Sequence, residues 1–278
     1  HKPTRRTPLH RWHDSAHAVF METGLWLRAG YYSKTRETGW EPILREARAV
    51  RQAAGLCDVS TLGKIDIQGR DSASFLDRVY TNTFSTLAIG RARYGLMLRE
   101  DGLMFDDGTT SRLGPHHYLM TTTTAKAAEV MGHLEFCAQV LWPSLDVRFC
   151  SVSDQWAQMA LTGPRARDVL ACCIDGLDVS NVGLPYMAAG EGRIAGAPVR
   201  VFRVSFSGEL GYEVATPSGL GTRVWAALHE AGTPMGLVPY GLEALNVLRV
   251  EKGHVTGAEI NGQTTARDLG FEKNVEKD

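Results

Sequence analysis

Two short runs carry the residues whose types and spacing could do chemistry. The first is Glu100-Asp-Gly-Leu-Met-Phe-Asp-Asp-Gly108. Asp106 and Asp107 are adjacent within an otherwise apolar stretch that reads as a strand, and alternation sends one to each face. One carboxylate can then be solvated while the other points at a sheet-covered cavity. There it must be hydrogen-bonded or put to work, because burying it unpaired is expensive. The competing reading is that Asp107-Gly108 is simply turn chemistry. The second run is Phe206-Ser-Gly-Glu-Leu-Gly-Tyr-Glu213. Glu209 and Glu213 follow a tight turn at Gly208 and are flanked by aromatic residues. A carboxylate beside aromatic rings suits a flat heterocycle carrying adjacent N–H and NH2 donors, since it can accept both bonds while the rings stack. Solvated hairpin charges are the alternative.

Other candidates are weaker. Thr121 to Thr124 can line a polar pocket or simply end a strand at a helix cap. Tyr94 can cover a ligand or be a half-buried sheet aromatic. Arg249 and Glu251 lie two apart in a helix, do not face each other, and read as members of tertiary ion pairs. His116 and His117 are adjacent, so on a strand their rings diverge, and no metal site is expected. The five cysteines are odd in number and form no C-x-x-C pair. That speaks against a disulfide framework or a zinc site and fits a reducing cytoplasm.

Composition narrows the function classes. Hydrophobic residues make up 44% and charged residues 22%, an ordinary globular balance. A formal net charge of -1 supplies no global basic field for nucleic acid or an anionic membrane. No apolar run approaches the ~20 residues of a membrane span. The basic start, His1 to Arg6, leads into Leu9-His-Arg-Trp-His13 rather than an apolar signal core, so no secretory leader is expected. G-x-G-x-x-G, G-x-x-x-x-G-K, H-E-x-x-H and G-x-S-x-G are absent. Dinucleotide binding, phosphoryl transfer and zinc hydrolysis therefore lose their best signals.

The elements that must position the two acidic runs are legible in outline. Residues 1 to 40 read as an irregular, aromatic-rich lead that packs on the body. Glu41 to Ala54 has helical periodicity, with Gly55 as a stop. Lys64 to Gly69 alternates as a half-buried strand, and Asp71 caps a short helix through Phe75, Leu76 and Val79. Arg93 to Leu98 and Leu103 to Ser111 form a hairpin about Glu100-Asp101-Gly102. Tyr118 to Thr123 is a strand, Ala125 to Leu141 a helix ended by Trp142-Pro143, and Val147 to Val152 a strand. This middle block reads β-α-β-β-β-α-β. Beyond it come a strand over Ala157 to Leu161 and a helix from Pro164 through Cys172. Strands Val199 to Ser205 and Glu209 to Ala215 follow, then helices over Leu220 to Ala231 and Gly241 to Lys252. Strands segregated from helices in this way predict an α+β fold with sheets covered on one face.

Several segments, in order along nearly the whole chain, resemble the aminomethyltransferase family that includes the glycine-cleavage T-protein. Asp58-Val-Ser-Thr-Leu-Gly-Lys-Ile-Asp-Ile-Gln-Gly69 is similar to its D-[VA]-S-x-x-G-K signature. Arg78-Val-Tyr-Thr-Asn82, Arg93-Tyr-Gly-Leu-Met97, Glu100 to Gly108, Met120 to Thr124 and Ser205 to Glu213 continue the likeness. Pro239 to Gly253, with Arg6-Thr-Pro-Leu-His10, narrows it to the C-terminal half of the alpha subunits of heterotetrameric sarcosine oxidases. The resemblance implies two intertwined α+β lobes around a folate pocket: residues 1-61 and 153-278 as the first lobe, 62-152 as the second. It also implies a C-terminal β-barrel after Asp278, which is missing from this chain, and a dinucleotide-binding region before His1.

The implied reaction uses tetrahydrofolate. Sarcosine is oxidised to an imine at a flavin held elsewhere, and the folate captures the imine carbon as 5,10-methylenetetrahydrofolate. Flavin and NAD are expected only on other domains or subunits, with flavin-bearing oxidase subunits as partners. Residue by residue, Asp107 matches the family's essential aspartate, expected to bond the folate N10 and manage protons. Glu213 matches the acid on the pterin edge, and Tyr94 and Phe206 match positions lining the pterin. Phe206 stands where the T-protein usually has Tyr, Thr121 where it has Asn, Thr61 where it has His, and Leu245 where it has Arg. Ala258-Glu-Ile-Asn261 departs from the Gln-Asp-x-Asp of related oxidases. Thr121 and Glu209 complete the expected folate-binding set. Two other functions stay open: a folate-binding or docking module without its own turnover, and a related folate-dependent demethylase or aminomethyltransferase of the dimethylglycine or glycine-cleavage type, or one taking another N-methyl or S-methyl donor.

Overall fold

A computed structural model describes residues 4–34 and 36–275. The first half of the basic run His1 to Arg6, and the chain end Glu276 to Asp278, lie outside the described residues. Two compact units emerge. One is His1–Thr61 with Asp154–His254; the other is Leu62–Ser153 with Val255–Asp278. The segment after His254, expected with the first lobe, packs within the second unit instead. Its Thr264 carbonyl accepts the Met104 N–H at 2.8 Å, Thr265 bridges Leu103, and Ile260 and Ala266 join a buried cluster with Leu96 and Met104. Removing those side chains from water favours this docking.

In the first unit the described residues form a seven-stranded sheet. Its order is Ile174–Asp175, Ala189–Ile194, Ala197–Phe202, Gly211–Pro217, Trp156–Thr162, Ala54–Asp58 and Leu237–Pro239. Every pairing is antiparallel except the last. Helices Ala166–Cys173 and Gly221–Gly232 bury Val169, Leu170, Val224, Trp225 and Leu228 with Leu56, Met159, Leu161, Val201 and Val214 of the sheet. The aromatic lead, expected to be irregular, is ordered: Ala18–Thr23 and Trp26–Tyr32 form a hairpin, and Arg5–Arg6 lies parallel to the start of the second strand. Gly24, at φ +59°, makes the reversal that lets these strands pair.

Helix Glu41–Gln52 ends before the expected Ala54. Ala54 instead opens the Ala54–Asp58 strand, which is buried at every position and so shows no alternation to read. The Gly208 hairpin is also looser than expected. Phe202 pairs with Glu213, so residues 203–210 form a loop rather than a tight turn, and Glu209 sits in it.

A buried polar network ties the lead to this unit. His13 Nε2 lies 3.0 Å from Asp58 Oδ2, and His13 Nδ1 lies 2.8 Å from the Tyr32 hydroxyl. Burial alone would raise the pKa of Asp58, but the bond and charge of His13, with Ser60 and Thr7, outweigh it and hold the acid down at about 2. Glu46 is fully buried. Its Oε1 accepts the Tyr32 N–H at 2.7 Å and its Oε2 the Gly241 N–H at 2.9 Å. Gly241 must be glycine here, because a Cβ would fall 2.1 Å from the Gly30 carbonyl oxygen.

The second unit has the expected β-α-β-β-β-α-β order. Its antiparallel sheet runs Arg91–Leu98, Met104–Gly114, His117–Thr122, Gly63–Gln68, Arg148–Ser151. Helices Ser72–Val79 and Ala127–Phe136 bury Phe75, Leu76, Val130 and Leu134 with Ile65, Ile67, Tyr118 and Met120. Each such side chain contributes roughly 1.5–3 kcal/mol when fully withdrawn from water.

Glu46 generates a test. Replacing it with Ala strands two buried N–H groups and should cost about 2–4 kcal/mol in urea unfolding. Burial lifts its pKa to about 7 from 4.5. The native state therefore holds this proton more tightly than the unfolded chain, and the stability it confers is lost as pH rises through that window. The urea midpoint of the wild type should drop more between about pH 5 and pH 8 than that of Glu46→Gln. Equal drops would assign the pH dependence to another group.

Candidate functional site

The strand Met104–Gly114 places two adjacent carboxylates in different environments. Asp106 is 3% exposed, whereas Asp107 is only partly buried. Alternation along the strand is the cause, and Asp107-Gly108 is mid-strand rather than a turn: Asp107 pairs with Leu96 and Gly108 with Gly95. The reversal lies where Glu100-Asp101-Gly102 predicts it, with Gly102 at φ +82° and the Arg99 N–H donating to the Leu103 carbonyl at 2.8 Å.

Tyr94, on the neighbouring strand, donates its hydroxyl proton to Asp107 Oδ2 at 2.7 Å. Burial, then the charge of Asp107, pushes the Tyr94 phenol far above its ordinary pKa. The phenol is thus a fixed donor, and an O–H to carboxylate bond of this length holds the acid strongly in place. The Tyr94 ring also packs 6.0 Å from that of Phe271.

Thr121 serves the sheet. Its hydroxyl accepts the Thr109 N–H at 3.1 Å and donates to the Thr109 carbonyl at 2.9 Å. These bonds clip together the two strands beside Asp107. Gly108 permits this approach, since a Cβ there would meet the Thr121 carbonyl oxygen at 2.1 Å.

Asp106 takes the Thr123 N–H on Oδ2 at 3.2 Å, and its Oδ1 is buried without a hydrogen-bond partner. Burial foremost, with the charge of Asp107 adding to it, raises its pKa to about 7 against the bonds from Thr123.

In the first unit, Glu213 lies on the Gly211–Pro217 strand, opposite Ala160 on one side and Phe202 on the other. The buried Gln158 donates from Nε2 to its carboxylate. Phe206 stands in the 203–210 loop. Its carbonyl accepts the His254 Nδ1–H at 3.0 Å, and the two rings are 5.6 Å apart. Glu209, expected as a ligand-facing acid, is ion-paired to Arg51 at 3.0 Å. Arg51 also donates to the Ser207 carbonyl and pairs with Glu251 at 2.7 Å. Glu209 therefore pins the loop, and Glu251 is a tertiary ion-pair member as expected. Gln158, Arg51 and His254 carried no signal in the sequence as supporting residues, because they lie far along the chain from Glu213, Glu209 and Phe206, which they contact.

Among the described residues no three His, Cys, Asp or Glu side chains group closely enough to hold a metal ion, and no helix is long and apolar enough to cross a membrane.

The mainly antiparallel sheets and the helices of the two units define an α+β aminomethyltransferase fold. The structure matches the glycine cleavage system aminomethyltransferase T from Bartonella henselae with a TM-score of 0.85 at 27% identity, covering 98% of this chain and 70% of that one. Residues 9–278 match the family described as the GCVT N-terminal domain, and the chain belongs to that family. It is 34% identical over 261 residues to an aminomethyltransferase of Chlorobium phaeovibrioides (strain DSM 265 / 1930), covering 94% of this chain and 68% of that protein. It is 56% identical over 277 residues to the sarcosine oxidase subunit alpha of Rhizobium meliloti (strain 1021), covering 99% of this chain. The chain spans 28% of the length of that relative.

The contact at Gly108 can be tested by stability. Gly108→Ala drives a methyl group into the Thr121 backbone and should cost about 1–3 kcal/mol. Gly114→Ala, whose Cβ meets only the His117 Cβ at 3.5 Å, should be close to neutral in the same urea titration. Equal effects at the two positions would mean that the sheet yields around Gly108.

Proposed function

We propose that this chain binds tetrahydrofolate and carries one-carbon transfer in a sarcosine-oxidase-like assembly. The supporting observation is the Asp107 carboxylate, partly exposed and held by the Tyr94 hydroxyl at 2.7 Å, in a chain of the aminomethyltransferase family. Tetrahydrofolate enters as a co-substrate, the acceptor of the carbon. The imine formed when sarcosine loses two electrons at a flavin of a partner subunit supplies that carbon. The folate nitrogens N5 and N10 bond to it, the C–N bond to the amino acid breaks, and glycine leaves with 5,10-methylenetetrahydrofolate as the other product.

Within that sequence Asp107 accepts the N10 hydrogen, orients the nitrogen and takes its proton as the second C–N bond forms. Tyr94 fixes the carboxylate rotamer. Glu213, oriented by Gln158, accepts from the N–H and NH2 edge of the pterin. Phe206 offers a ring without the hydroxyl that a tyrosine would add. Thr121 acts through Thr109 as a sheet clip and Glu209 through Arg51 as a loop anchor. We take the setting to be the cytoplasm, in keeping with five free cysteines.

Calorimetric titration with tetrahydrofolate tests the binding, and the chain should bind. Glu213→Ala should weaken it by about tenfold or more, the worth of a lost charge-assisted bond. Asp107→Asn should leave unfolding and folate binding nearly unchanged but cut methylenetetrahydrofolate formation in the reassembled oxidase by about 10²-fold or more. Unimpaired transfer by Asp107→Asn would turn the reading to a folate-docking module without its own turnover.

A further inference from the structure

Asp107 carries the proposed transfer, yet the residue before it is the more costly one to maintain. Asp106 is 3% exposed, has one oxygen bonded to the Thr123 N–H and the other without a partner. A fully charged carboxylate in that state loses hydration that the bonds from Thr123 and from the Asp107 N–H do not make good, since one oxygen stays bare. Among the described residues, three titratable groups act on this position. From its own strand there is Asp107. From the Arg91–Leu98 strand there is Tyr94, already committed to Asp107. From the turn after the Ser72–Val79 helix there is Tyr80, buried and within electrostatic reach of both acids. Adjacent carboxylates on one strand also resist simultaneous ionisation.

We propose that Asp106 is a positioning residue that works as a neutral acid, clamping Thr123 to the Asp106–Asp107 segment and leaving Asp107 as the single negative charge of the pair. This rests on the reading of Asp107 as the transfer acid. The clamp has a mechanical consequence. Thr123 is the hinge between the His117–Thr122 strand and the Thr124–Lys126 turn that opens the helix Ala127–Phe136. Holding it against Asp106, two residues from the Gly108–Thr121 close approach, fixes the backbone from which Asp107 projects. The proton has an electrostatic consequence. With Asp106 neutral, Asp107 can stay charged and ready to accept a proton. With Asp106 charged, a second negative charge raises the proton affinity of Asp107 and strains the clamp. That ionisation is expected near neutral pH, where burial has moved the group.

Difference infrared spectroscopy on the whole chain reads the proton directly. The carbonyl stretch of a protonated carboxylic acid, taken as wild type minus Asp106→Asn at about pH 6, should be present and should vanish as pH rises through neutrality. Asp107→Asn should keep the band. Glu46, the other buried acid titrating near 7, contributes to both spectra and cancels. In the reassembled oxidase, Asp106→Asn, permanently neutral and of the same shape, should keep carbon transfer within about threefold of wild type near pH 6. It should lack the decline that wild type shows toward pH 8. Asp106→Leu, which fills the site without a clamp, should lose about tenfold or more. If Asp106→Leu does not fold, the Asn comparison still decides. Absence of the acid band, or an Asp106→Asn profile that falls with pH just as wild type does, overturns the proposal. If the wild type binds no tetrahydrofolate, the functional reading fails on its own, while the infrared band still reports whether Asp106 holds a proton.

Discussion

A carboxylate taken out of water must be met by donors or give up its charge, and that constraint organises both compact units. Each unit solves it differently at each acid. Asp58 keeps its charge because His13 and Ser60 face it. Glu46 gathers two backbone N–H groups, from Tyr32 and Gly241, and is still shifted upward by complete burial. Asp106 is met by Thr123 but keeps a bare oxygen, and burial shifts it likewise. The acids that stay partly exposed, Asp107 and Glu213, are each gripped by a neutral donor, Tyr94 and Gln158. A neutral donor orients a carboxylate without cancelling its charge. The gradation separates acids that hold the fold together from acids able to meet a ligand.

Glycine supplies the complementary constraint. Gly108 lets the Thr121 backbone approach, and Gly241 does the same for Gly30. The absent Cβ at Gly241 brings Glu46 against the Gly241 N–H, and that at Gly108 lets the Thr109–Thr121 clip form beside Asp107. Elsewhere the loop 203–210 is fixed by charge. Arg51 joins Glu209, the Ser207 carbonyl and Glu251, so a segment without regular structure is nonetheless anchored beside the strand that bears Glu213. Partly exposed ion pairs of this kind are individually weak; convergence of several on one guanidinium is what makes the anchor.

Local pattern carried a good deal of this. The middle unit was legible because its strands alternate, its turn contains Gly102, and its helices have periodic apolar faces. The Ala54–Asp58 strand was not, because burial on both sides erases alternation. The Ala189–Ile194 strand escaped notice because its Gly-rich Ala-Gly-Glu-Gly-Arg-Ile run has little strand propensity and is held by its neighbours. The aromatic lead announced that it had to pack, but not that it would pair into a sheet.

The sequence by itself determined the family, the α+β class, the middle unit's order of elements and the two acidic runs. These rest on residue type, short-range spacing and motif order, which need no knowledge of distant partners. Tertiary structure alone decided that Asp107 rather than Asp106 is the exposed member of its pair. It also decided that Glu209 is occupied by Arg51, that Gln158 orients Glu213, and that residues 255–275 dock with the middle unit. Each of these depends on contacts between residues far apart in the chain, and desolvation and hydrogen-bond geometry take their values only once those contacts have formed.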